Sequence, residues 1–310
     1  MSIVARDLRK SFRAVRAVDG VSFEIGRGIV GLIGPNGSGK TTVLRMLATF
    51  LQPSAGGIRI AGHDAAADPI AVRRSIGYLP EALPGYVEAR VEEFLEFRAR
   101  LKQIPRRGRR AEVDRCLASC QLTSVRRRLI GRLSQGFRRR AGLADALLGS
   151  PPVLLLDEPT VGLDPLQVRQ TRDLLKELSD RTTILLSTHL LAEAQAACDR
   201  VLMLIRGRLA SDVSLAEMKR GNAFEITLRG AAESCEARLR AISGVQSVRR
   251  VSAGAPFTAY QVDVAEAAAR EDVVRECVAA GWGVCELRNL HDDLESHFVR
   301  VSLGLRGEAA

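Results

Sequence analysis

One stretch limits what this chain can fold into more than any other. Gly34-Pro35-Asn36-Gly37-Ser38-Gly39-Lys40-Thr41 fills every fixed position of the phosphate-loop pattern G-x-x-x-x-G-K-[ST]. The apolar run Ile29-Val30-Gly31-Leu32-Ile33 before it reads as a buried strand. Behind it, Val43, Leu44, Leu47, Ala48 and Leu51 recur at helical spacing. A strand, a glycine turn and a helix start make an anion site. The glycines let the backbone wrap a phosphate, and the helix start faces it with N–H groups and a positive dipole end. Lys40 would reach the terminal phosphates, and the Thr41 hydroxyl would bind the Mg²⁺ that bridges them. The other loop residues and Thr42 are expected to line the nucleotide. A chance Gly/Ser turn before a lysine would not bring both flanks with it.

A second apolar run, Val153-Leu154-Leu155-Leu156, ends in Asp157-Glu158. Alone, such a pair is an ordinary strand terminus. Downstream of an intact phosphate loop, the two carboxylates divide the work: Asp157 holds Mg²⁺, and Glu158 takes a proton from attacking water. Ser187-Thr188-His189 follows the next apolar strand. A lone histidine is commonly a structural hydrogen-bonder, but the strand order puts His189 near the γ-phosphate. Leu133-Ser134-Gln135-Gly136-Phe137 precedes a helix, with Ser134 as N-cap and Gly136 admitting a close approach, so a second anion could sit there. Taken alone this stretch is any capped helix.

Strands of continuous apolar residues alternating with helices predict an α/β fold with a parallel sheet covered on both faces. A mainly helical, arginine-rich segment runs from Val91 to Leu148, interrupted near Pro105. After about Arg220 the pattern changes to β-α-β-β-α-β, with strands at 224–228, 245–248, 258–264 and 284–287 and helices at 231–242 and 266–280. That order predicts a small ferredoxin-like accessory domain, structural or docking in role, with a final helix at 291–303.

Forty-six Lys and Arg against 36 Asp and Glu leave a net charge of +10, much of it in the knots 106–110, 126–128 and 138–140. An anionic membrane surface and a plainly solvated basic face remain equal readings. Nucleic acid ranks behind them, because aromatics are 4% of the chain and are not interleaved with the arginines. No apolar run approaches the roughly 18–20 residues of a membrane helix, and the N-terminus lacks a signal's apolar region, so a cytoplasmic location is expected. The cysteines form no C-x-x-C and do not cluster with histidines; Cys116 and Cys120, four apart on a predicted helix, suit a buried face as reduced thiols.

Taken in order, these motifs resemble the nucleotide-binding subunit of an ATP-binding-cassette (ABC) transporter: phosphate loop, Leu133-Ser134-Gln135-Gly136 signature, Asp157-Glu158 strand, Gly162-Leu163-Asp164 D-loop and switch His189. The resemblance implies a P-loop NTPase domain over 1–220 with a helical insert at about 85–150, and an accessory domain over 221–310. It implies ATP and Mg²⁺ as cofactors, and Phe12 stacking on adenine. It implies a homodimer in which Ser134 and Gly136 of one copy close on the γ-phosphate held by the other. Glu81, in Tyr78-Leu79-Pro80-Glu81, stands where the Q-loop usually has Gln; a carboxylate there still ligates Mg²⁺ or orients water but cannot donate a hydrogen bond when ionised. Gln135 and Phe137 replace the usual Gly and Gln of the signature. Both departures, and the ending Leu294-Glu295-Ser296-His297-Phe298, resemble single-cassette exporters with a C-terminal domain. The implied partner is a separate membrane permease, with this chain peripheral on the inner face of the cell membrane. The alternative is a soluble ABC ATPase acting on nucleic acid or ribosomes; against it stand the single phosphate loop and the lack of a sustained heptad pattern.

Overall fold

The computed structural model describes residues 2–307 apart from 14, 83–84, 220–222, 231–233, 255, 267 and 290–293. The chain begins with two long strands, β1 (Ile3–Phe12) and β2 (Val15–Ile25), followed by β3 (Gly28–Ile33) and helix α1 (Lys40–Leu47). Then come β4 (Ala55–Ile60), β5 (His63–Asp64), α2 (Pro69–Ser75) and β6 (Ile76–Leu79). The helices α3 (Val91–Leu101), α4 (Arg106–Ser119) and α5 (Gln135–Leu147) occupy the predicted insert. The pattern resumes with β7 (Val153–Asp157), α6 (Pro165–Ser179), β8 (Thr183–Thr188), α7 (Leu191–Ala197), β9 (Arg200–Ile205), β10 (Arg208–Ser214) and α8 (Leu215–Lys219).

Six strands form one sheet in the order β10-β9-β3-β8-β7-β6, parallel except where β9 meets β10. Successive residues of its central strands enter different cores, as the two-residue period of a strand demands. Val153, Leu155 and Leu185 pack with α1 and the first strands, whereas Leu154, Leu156, Ile184 and Leu186 pack with the helical insert. Both faces are therefore dry, which is why Val153–Asp157 can be continuously apolar until its last residue. The parallel expectation holds for five strands of this sheet, β9-β3-β8-β7-β6, and β10 makes it mixed. A second sheet, β2-β1-β4-β5, is antiparallel throughout; only two residues of chain separate β1 from β2, too few for the crossover a parallel pair needs.

The insert is held to the sheet by α5. Ser134 caps it by accepting from Phe137 N at 3.4 Å, and Asp145 near its other end receives Arg98 Nε of α3 at 3.0 Å. Gly77 of β6 admits the helix backbone; a Cβ there would lie 2.0 Å from the Ala146 carbonyl oxygen. On α4, Cys116 and Cys120 are buried, and burial pushes the Cys116 thiol up to about 12. The arginine knots are not all surface. Arg139 and Arg140 are buried, and Arg126 pairs with Glu92 and Asp114, so the basic face read from the sequence loses part of its charge to internal contacts.

Contacts divide the chain into two units, one built mainly from residues 1–215 and the other from 216–303. The second contains β11 (Ala223–Arg229), α9 (Cys235–Arg240), β12 (Val245–Gly254), β13 (Phe257–Val264), α10 (Ala268–Ala279) and β14 (Gly283–Asn289). Its sheet runs β12-β13-β11-β14, all antiparallel, the strand order of a ferredoxin-like β-α-β-β-α-β unit. Phe224, Ile226, Leu228, Leu239, Val262 and Trp282 form its core. The chain ends in α11 (Leu294–Gly307). Residues 231–233, 267 and 291–293 of the helices expected there lie outside the described residues.

Candidate nucleotide site

Four parallel neighbours, β3, β8, β7 and β6, deliver their carboxyl ends to one edge of the sheet. The register aligns Ile33 with Thr188, Asp157 with Ser187, and Leu79 with Leu156. Consequently the phosphate loop, His189, Asp157-Glu158 and Pro80-Glu81 emerge side by side, although they are spread over more than half of the sequence. Ligands of open α/β sheets bind outside these strand ends.

The loop enters α1 through Gly39, which sits at φ +104° and whose Cβ would lie 2.5 Å from the Ala17 carbonyl oxygen. Only glycine fits that turn without strain. Lys40 is buried, and its ammonium donates to the carbonyls of Gly34 at 2.7 Å and Pro35 at 3.2 Å. Burial lowers its pKa, opposed by the negative charges of Glu158, Asp157 and Glu81. No acidic residue occupies the first turn of α1, so nothing competes there with a bound anion.

Asp157 Oδ1 accepts from Ser187 Oγ at 2.6 Å and from Thr41 Oγ1 at 3.3 Å. Its Oδ2, and Ser38 Oγ in the loop, are buried without a hydrogen-bond partner in the protein. Buried polar atoms without partners are costly, and both point to a ligand at this spot. A carboxylate oxygen and a threonine hydroxyl are the hard donors that a divalent cation such as Mg²⁺ takes. Glu158 stands at φ +51°, a left-handed conformation that costs a non-glycine residue about 1–3 kcal/mol. Its N–H donates to Ser187 Oγ at 2.9 Å, and His189 Nδ1 lies 3.0 Å from its Oε1. The loop from Asn36 to Thr42, together with Ala17, Glu81 and Glu158, lines a single cavity of about 300 Å³.

The signature and the aromatic are not brought into it. Ser134 is exposed at the start of α5, and neither it nor Gly136 lines the cavity. Phe12 ends β1 at 45% exposure, with Lys10 Nζ 5.3 Å from its ring centroid, and does not line the cavity either. Ser187 and Arg139 escaped the sequence reading. Ser187 could have been noticed as a hydroxyl next to the histidine. Arg139 could not, since it stands in a run of three arginines that composition treats as one charge patch.

Residues 18–161 match the family described as ABC transporter. The chain is 36% identical over 237 residues to the daunorubicin resistance ATP-binding protein DrrA3 of Streptomyces coeruleorubidus, covering 75% of each. The chain belongs to the ABC transporter ATP-binding proteins. It is also 32% identical to the uncharacterized ABC transporter ATP-binding protein YxlF of Bacillus subtilis, over 95% of this chain and 97% of that one. Among solved structures, the ATP-binding subunit of an ABC transporter superposes with a TM-score of 0.65 at 30% identity, covering 71% of this chain and 92% of the other. The ATP-binding cassette MJ0796 in a dimeric post-hydrolysis state, bound to ADP and Pi, superposes with a TM-score of 0.63 at 25% identity, covering 69% and 98%. This ABC protein is thus a P-loop ATPase. No helix among the described residues is long and apolar enough to cross a membrane.

Proposed function

We propose that this ABC protein is the ATP-hydrolysing subunit of an exporter, powering a separate membrane permease by closing as a head-to-tail homodimer on ATP. One observation carries the reading. The cavity gathers the phosphate loop, Glu81 and Glu158, but the phosphate-facing Ser134 and Gly136 lie outside it. A site missing one wall is completed by a second copy, whose Ser134 and Gly136 close on the γ-phosphate. Phe12, exposed at the end of β1, stacks on adenine.

In the reaction, Lys40 and the loop N–H groups hold the phosphates and face the developing negative charge. Thr41, Asp157 and Glu81 would hold Mg²⁺, which when bound would neutralise phosphate charge. Glu158 takes the proton of the attacking water, and His189 fixes the Glu158 carboxylate and faces the γ-phosphate. The permease is coupled through the insert and the Q-loop that joins it to the sheet. Phe50, Ile70, Leu101, Tyr78 and Pro80 line a groove of about 490 Å³ beside Arg73 and Arg74. Phe50 is 72% exposed there. A cytoplasmic segment of the permease seated in this groove would press on Pro80, the neighbour of Glu81, at the inner face of the membrane. Residues 221–310 act as the accessory domain. Export as the direction is supported by the drug-resistance relatives.

The test is Glu158→Gln. With ATP and Mg²⁺ it should bind nucleotide, lose about 10²-fold or more in turnover, and run as a dimer by analytical ultracentrifugation. A variant that hydrolyses at the parent rate, or stays monomeric with ATP bound, refutes the proposal. The permease is identified by what copurifies with the parent chain from membranes.

A further inference from the structure

Arg139 is buried to 6% exposure at the heart of the site, yet none of the roles above uses it. Its Nη1 donates to the carbonyls of Pro80 at 2.7 Å and Glu81 at 2.8 Å. Its Nη2 donates to the carbonyls of Asp157 and, at 2.5 Å, Glu158. These acceptors are two consecutive residues from each of two loops, at the ends of the neighbouring strands β6 and β7. A planar guanidinium presents donors in a rigid fork and can bind both loops at once; a lysine ammonium is a single point.

The backbone of Glu158 gives the clamp a purpose. A left-handed non-glycine residue persists only where its surroundings over-determine it. At Glu158 three hydrogen bonds do so: its N–H donates to Ser187 Oγ, and its carbonyl accepts from Arg139 Nη2 and, more weakly at 3.3 Å, from Val161 N. Without the Arg139 bond, the peptide after Glu158 can relax toward ordinary φ, and the carboxylate leaves its place beside His189. Arg139 also belongs to α5, the helix whose first turn carries the signature, so a shift of α5 reaches the Glu158 carbonyl through one rigid side chain.

We propose that Arg139 is a positioning residue for hydrolysis: it clamps Pro80-Glu81 to Asp157-Glu158 and holds the strained turn that aims Glu158 into the nucleotide cavity. In the head-to-tail pairing, on which this step rests, Ser134 senses the partner's nucleotide and Arg139 passes the state of α5 to the base of its own copy. The two ATP sites are thereby linked.

The experiment compares Arg139→Gln and Arg139→Lys in the full chain, in parent and Glu158→Gln backgrounds, with ATP and Mg²⁺. Turnover, KM, equilibrium ATP affinity and the thermal midpoint are read for each. Arg139→Gln should lose about 10²-fold in kcat, the usual effect of a base displaced by an ångström, while ATP affinity stays within about threefold. Arg139→Lys should recover less than about tenfold, because it restores charge without the fork. In the Glu158→Gln background, Arg139→Gln should cost less than about threefold more, since the group it positions is already gone. Unchanged kcat in Arg139→Gln overturns the proposal. So does joint collapse of affinity and thermal midpoint that lysine repairs, which marks a packing role, or a full loss persisting in the double variant. If Glu158→Gln alone keeps the parent rate, the base assignment fails, and the kcat of the single Arg139 variants then decides the clamp by itself.

Discussion

Gly77→Ala tests the seating of the signature helix. Gly77 is buried on β6, paired with Leu154 in the parallel register. An added Cβ would lie 2.0 Å from the Ala146 carbonyl oxygen and 2.7 Å from Leu154 Cδ2. The leucine tip can turn away, but the carbonyl is fixed in the last turn of α5. Ordinary contact begins at 3.4 Å, so helix and strand must separate by about 1.4 Å. Overpacking of that kind costs about 1–3 kcal/mol. At roughly 2–4 °C per kcal/mol for a domain of this size, the thermal midpoint should fall by roughly 2–12 °C. Because α5 carries Ser134 and Arg139, turnover should fall as well, by up to about 10²-fold for a displacement of this order. Gly108→Ala on α4 is the control. Nothing lies within 4 Å of its Cβ, and removing glycine from a helix should raise stability by about 0.4–1 kcal/mol. Differential scanning calorimetry and steady-state ATPase assays read both. If Gly77→Ala melts within about 1 °C of the parent, the close packing of α5 on β6 does not exist as described.

Two further outcomes concern the charges of the site. Burial holds the pKa of Lys40 below the ordinary 10.5, so the folded, nucleotide-free protein binds fewer protons than the unfolded chain between the two values. The unfavourable burial of the ammonium is thus felt below the folded pKa and relieved as pH rises toward 10.5, while ATP affinity falls because the cation facing the phosphates is lost. Nucleotide titrations from roughly pH 7 to 10 should show this alkaline decline in the parent, and Lys40→Ala should bind weakly at every pH; a flat parent profile counts against the assignment. Glu81→Gln removes one negative charge from the cavity and should keep turnover within about threefold. A loss of more than about tenfold would mean that the carboxylate itself does specific work on metal or water.

Motifs that are short backbone devices were readable from the residues alone. The phosphate loop declares itself because a strand, a glycine turn and a helix start are each local patterns, and Gly39 at its left-handed φ is the kind of position that admits little else. Gly162-Leu163-Asp164, read as the D-loop, runs into a helix start: Asp164 accepts from Gln167 N at 2.9 Å and Pro165 occupies the first turn of α6. The continuous apolar runs of β3, β7 and β8 foretold strands buried on both faces, and the ferredoxin-like order of the second unit followed from its alternation of strands and helices.

What the chain could not disclose is which of its parts meet. The order β3-β8-β7-β6 depends on crossover connections, and only that order places Glu81 and Glu158 in one cavity with Lys40. The triplet Arg138-Arg139-Arg140 carries three equal charges in sequence, but the phase of α5 leaves Arg138 exposed and buries the other two. A helix advances each residue by a fixed rotation, so orientation belongs to how the helix is seated, and that seating was settled by Gly77 and Ala146, nearly seventy positions apart. Local sequence selects turns, strands and anion-binding loops because those obey short-range sterics and hydrogen bonding. The strained turn at Glu158 and the guanidinium across its carbonyl arise only after distant segments have packed, because packing alone brings their groups within hydrogen-bonding reach.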